Sequence, residues 1–169
     1  MVSRPTLFFL DILVSNLRIE TMSKSRDYVF VLWGDRFDEA VATILVTELR
    51  EAGLWVKVVG LTPRQIGGAH GLALVPDLTL DQALPLASQA ICVIIPSTTP
   101  WSKQLNNDPR IRQFIEQASS SQTKFVVGIW EESIQAGLAL PTTVRENVMV
   151  YPETEDLVKF ARQIAKLLV

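Results

Sequence analysis

Apolar positions follow two distinct rhythms along this chain, and the order in which the rhythms alternate predicts a fold. Five short runs rich in β-branched and aromatic residues read as strands buried on both faces of a sheet. They are YVFVLW (28–33), WVKVVG (55–60), AICVIIP (90–96), KFVVGIW (124–130) and NVMVYP (147–152). Each ends in breakers or polar residues.

Between these runs the spacing turns helical. Val41, Leu45 and Leu49 share a stripe from Asp38 to Ala52, with Gly53 as a left-handed stop. Asp108 caps a second helix, with Pro109 in its first position and Ile111, Phe114, Ile115 and Ala118 on one face. In a last helix from about Glu155, Leu157, Phe160, Ala161, Ile164 and Leu168 face one way and Lys159, Arg162 and Lys166 the other.

Strands alternating with helices over such connections require right-handed crossovers, hence a parallel sheet with helices on both faces. The expectation is an α/β, flavodoxin-like doubly wound sheet of about five strands in the order 2-1-3-4-5. A second methionine, Met22, stands just ahead of the first strand, which suggests a single domain over residues 22–169 and an N-terminal extension over 1–21. Within that extension TLFFLDILV is interrupted by Asp11 and is too short to span a bilayer.

With 169 residues, 48% hydrophobic and 20% charged, the chain has the means to bury one real core. A net charge of −2 without any basic run lacks the electrostatic footprint of nucleic-acid binding. The single cysteine, Cys92, has no partner for an internal bridge, and no CxxC or Cys/His cluster exists for zinc. A reducing cytoplasm fits this usage. Gly67, Gly68 and Gly71 do not form GxGxxG, and Walker patterns are absent, so neither a cofactor nor a metal is expected.

Ligands of doubly wound sheets sit at the carboxyl ends of the strands, beside the point where the strand order reverses. The tips WGDRFDE, IPSTTPW and IWEES therefore supply the crevice candidates for a small-molecule ligand or a partner. These are Trp33, Asp35, Asp38, Glu39, Ser97, Thr98, Trp101, Trp130 and Glu131. Asp35, Asp38 and Glu39 are similar to the magnesium cluster of response-regulator receivers, but the third and fifth strands lack the required aspartate and lysine. Carboxylates that open a helix suit its dipole in any case. Ser97 and Ser133 have no identifiable base, His70 in GGAHG has no nucleophile beside it, and Cys92 lies inside a strand as a small core residue.

Three stretches carry a family resemblance: FDEAVATILVTELREAGLWVKVVGL (37–61), GAHGLALVPDLTLDQA (68–83) and the strand AICVIIP. The middle one is the most specific, because HG, an apolar strand and PDxTL do not follow from helix or strand patterning. Together they resemble the ThiJ/PfpI (Parkinsonism-associated deglycase-like) family of the class I glutamine amidotransferase-like superfamily. The resemblance implies a thiol enzyme acting on small carbonyl or amide compounds. Its cysteine stands on an elbow after the fourth strand, a glutamate lies four residues past the opening phenylalanine, and glycines form an oxyanion turn after the third strand.

Carried over residue by residue, the glutamate position holds Val41 and the cysteine position Trp130, followed by Glu131 and Glu132. Ser97 and Thr98 replace the glycines. An indole cannot attack a carbonyl, and two acids at the elbow oppose an anion. The segment after Trp130 is shorter than the family's, which affects the region of its dimer contacts. The reading is a noncatalytic pseudoenzyme, cytoplasmic, that binds a protein partner or self-associates, for instance as a homodimer. Two alternatives remain. One is a glyoxalase, deglycase, amidase or peptidase-like enzyme using crevice carboxylates such as Asp38, Glu39, Glu131 or Glu132; the other is a small-molecule sensor.

Overall fold

Every residue of the first strand, β1 (Tyr28–Trp33), is buried, because successive side chains enter two separate cores. Tyr28, Phe30 and Leu32 join Ile111, Phe114 and Ile115 on one side. Val29, Val31 and Trp33 join Leu45, Leu49, Ala161 and Ile164 on the other. The computed structural model describes residues 27–34, 37–61, 65–96, 107–119, 122–128, 146–152 and 156–169. The proposed extension 1–21 and the boundary at Met22 lie outside them.

After β1 come α1 (Glu39–Glu51), β2 (Trp55–Gly60), a small pair β3 (Ile66–Gly67) and β4 (Ala73–Leu74), and β5 (Leu78–Thr79). A short α2 (Leu80–Ala83) runs into a 3₁₀ segment, Leu84–Gln89, then β6 (Ala90–Ile95), α3 (Pro109–Ala118), β7 (Lys124–Val127), β8 (Val148–Val150) and α4 (Leu157–Leu168). The main sheet has the order β5-β2-β1-β6-β7-β8, and all its pairings are parallel. The five expected strands appear in the expected order, with β5 added outside β2. Two residues are too few to show a period, so the pattern gave no sign of this strand. The run expected to extend to Trp130 forms strand only through Val127; residues 129 and 130 are not among those described.

Local signals set the helix ends. The Asp38 carboxylate accepts the Ala40 and Val41 amides at 3.0 and 3.1 Å and so fixes the start of α1. Its end is closed by Gly53 at φ +84, while the Leu54 amide donates to Leu49 and that of Gly53 to Arg50. Asp108 caps α3 through the Arg110 amide at 3.0 Å. Thr123 is the buried polar side chain among the described residues. Its hydroxyl lies 3.0 Å from the Ala90 carbonyl and 2.7 Å from that of Ala118, joining the end of α3 to the start of β6. On the opposite face α1 and α4 pack together, and the Arg162 guanidinium donates to Glu48 at 2.7 Å.

Candidate functional site

The strand order reverses between β1 and β6, so a ligand crevice of this fold belongs above Trp33 and Ile95. Trp33 is only 4% exposed, and its ring stacks on that of Phe37 with centroids 4.9 Å apart and planes within 2°. Its carbonyl accepts the Leu61 amide at 3.2 Å. The indole N–H is buried and meets no acceptor among the described residues.

Phe37 then fixes the chain beside a second element. It forms an isolated bridge with Gly68, and its carbonyl accepts the Ala69 amide at 3.0 Å. Ile66–Gly67 and Ala73–Leu74 pair antiparallel, so the residues between them form the tip of a small hairpin. Within that tip the Gly68 amide donates to Leu72 at 2.7 Å, and Gly71 adopts φ +94, a conformation that favours glycine.

Glu39, in the first turn of α1, reaches this tip. Its carboxylate accepts the His70 amide at 2.5 Å and lies 2.8 Å from the imidazole Nδ1. A Cβ on Gly68 would fall 2.2 Å from Glu39 Oε1, so this approach requires glycine there. Partial desolvation opposes the charge on Glu39, but hydrogen bonds from the His70 ring and from backbone amides outweigh it and hold the carboxyl at about 2. The bond to Glu39, and then its charge, raise the His70 imidazole above its ordinary value. The His70 side chain is 86% exposed and that of Glu39 12%. The pair therefore positions a hairpin, and solvent screening leaves it little weight in global stability.

Val41, at the position the resemblance assigns to an acid, is 4% exposed in the core beneath α1. Cys92 is fully buried inside β6, in register with Val29 and Lys124. Burial pushes its thiol up to about 12, against a small opposing effect of Lys124. Asp38 uses its carboxylate as the helix cap. Trp33, Asp38 and Glu39 thus share the β1–α1 junction. Asp35, Ser97, Thr98, Trp101, Trp130 and Glu131 lie outside the described residues, as do Glu132 and Ser133.

Among the described residues no group of three metal-ligating side chains comes together. None of their helices is long and apolar enough to cross a membrane. The contact between Glu39 and His70 was not foreseen from the sequence. The two are 31 positions apart, and the only local hint was the GGAHG composition of a tight turn.

The DJ-1/PfpI family model matches residues 27–129, more than half of the chain. No curated protein matches it. Among solved structures the fold is similar to Drosophila melanogaster DJ-1beta, with TM-score 0.71, 15% identity, and 84% of this chain and 90% of that one covered. Schizosaccharomyces pombe DJ-1 matches with TM-score 0.69 and 14% identity over 84% of this chain and 92% of that one. A two-domain protein of Anabaena variabilis, with DJ-1/ThiJ/PfpI-like and ferritin-like domains, matches with TM-score 0.69 and 18% identity over 83% of this chain and 49% of its own. At such identities these structures speak for the fold alone. With the family match spanning β1 to the end of β7, and the strand order and β3–β4 hairpin in place around it, the chain belongs to the DJ-1/PfpI family.

Proposed function

We propose that this protein is a noncatalytic member of its family, a single domain over residues 22–169 that works in the cytoplasm by binding a protein partner or a second copy of itself. The observation that carries the reading is the state of Cys92. It is the only cysteine in the sequence, and it is enclosed within β6 with its thiol held near 12. A thiol that is neither ionised nor accessible is no nucleophile. Two further points support it. Val41 is packed into the core where relatives are expected to keep an acid, and the sequence resemblance assigns Trp130, an inert indole, to the nucleophile position.

Turnover of methylglyoxal and of a panel of small carbonyl and amide compounds tests the catalytic half of this reading. The expected rate is that of the uncatalysed reaction, for the wild type and for Cys92→Ala alike. Turnover abolished by Cys92→Ala would overturn it, and turnover that survives Cys92→Ala but is lost in Glu39→Gln would select the carboxylate mechanism instead. Sedimentation across a concentration series tests self-association, and a tagged pull-down tests for a partner. A monomer with no reproducible partner would remove the binding half.

A further inference from the structure

We propose that the contact between Glu39 and His70 is a pH-responsive latch, which docks the hairpin tip against the N-terminus of α1 while His70 is protonated and loosens when the proton leaves. The inference is independent of whether the protein has an activity, because it concerns how two elements are held together.

Three observations converge on it. The tip is attached at three points of different chemistry: the Ala69 amide on Phe37, the His70 amide on Glu39, and the His70 ring on the same carboxylate. Only the last can change charge near neutral pH. Gly68 lets the carboxylate come this close, since any Cβ there would overlap Oε1, Cδ and Cγ of Glu39. The contact is also electrostatically simple. Residues 65–75 carry no charged group besides His70, and among the described residues the carboxylates acting on the ring are Glu39, then Asp38 at the helix cap. Both favour the protonated ring.

The sign follows by linkage. A histidine whose pKa is raised in the docked state stabilises docking fully below its free value and loses that contribution as pH rises through the docked value. Glu39 stays ionised throughout this range, being held at about 2. The latch is therefore tightest below the ordinary imidazole value of 6.5 and loosens as pH rises through the raised value of the docked ring. It is not abolished there, because the two amide bonds remain and a neutral ring with its proton on Nδ1 still donates.

His70 is the only histidine in the sequence, so its imidazole resonance needs no assignment. The test is an NMR titration of that resonance together with amide protection factors of Gly68, Ala69 and His70, referenced to core amides of β1. The expected pKa lies above 6.5 in the wild type and returns to about that value in Glu39→Gln. Protection at the tip should fall across the same titration by roughly tenfold for each unit of displacement, the factor that linkage requires. In His70→Gln the protection should not vary with pH. Gly68→Ala, which forces the carboxylate aside, provides a second route should Glu39→Gln fold poorly, and should also lower the histidine pKa. An unshifted histidine in the wild type overturns the latch, and so does a shift that persists in both variants or a tip protection that ignores the titration.

Discussion

Arg50 and Asp77 meet at 2.6 Å across the outer margin of β2, where the short β5 leaves part of that strand without a neighbour. β5 pairs only with Val59 and Gly60. Below that point side chains take over the work of a strand. Asp77 accepts the Val58 amide at 2.7 Å and returns its own amide to the Val58 carbonyl at 2.9 Å, while Arg50 donates to the Val56 carbonyl at 3.2 Å. An edge occupied in this way offers little to another chain.

Asp77→Ala should therefore cost about 1–2 kcal/mol, mainly because the Val58 amide loses its acceptor. Arg50→Ala should cost less, under about 1 kcal/mol, since its ion pair is largely solvated. Urea unfolding of the two variants checks the order, and the Asp77 variant should also aggregate sooner on warming.

Thr123→Val replaces the hydroxyl between Ala90 and Ala118 with a methyl group of nearly equal size. Two buried carbonyls then lose their shared donor, for an expected loss of about 1–2 kcal/mol by the same measurement. An unchanged urea midpoint would mean that α3 and β6 hold together by apolar packing alone.

Cys92 should resist a mild thiol reagent in the native protein at neutral pH and react completely once urea unfolds it, because burial keeps it protonated and enclosed. The time course of labelling with and without denaturant reads this directly. Rapid labelling of the native state would also remove the main support for a noncatalytic protein.

On the acid side, Glu39 is lowered from 4.5 to about 2, where bonds from His70 and the backbone outweigh desolvation. Asp108 is lowered chiefly by its bond from Arg110. Groups lowered in the folded state stabilise it above their ordinary values, and that contribution disappears as pH falls towards the folded ones. Amide protection at the hairpin tip, which Glu39 holds, should thus decline between about pH 4.5 and pH 2, with a shallower decline in Glu39→Gln, while global stability against urea should differ little between the two proteins.

The strand and helix order, the burial of β1 on both faces and the stops at Asp38, Gly53 and Asp108 were all legible in the chain itself. Each of these depends on neighbours within a turn or two, and periodicity reports such neighbours well. The family resemblance could also be read, because HG and PDxTL are contiguous. Contacts between distant positions could not be read. Asp77 reaches Arg50 over 27 positions and His70 reaches Glu39 over 31, and no local pattern specifies either. These contacts exist because the parallel order sets β5 and the β3–β4 hairpin beside β2 and the start of α1. The same is true of Trp33. Its place at a strand end was clear from the sequence, but only the folded β1–α1 junction laid its ring flat on Phe37 and buried an N–H that the chain alone would leave in water.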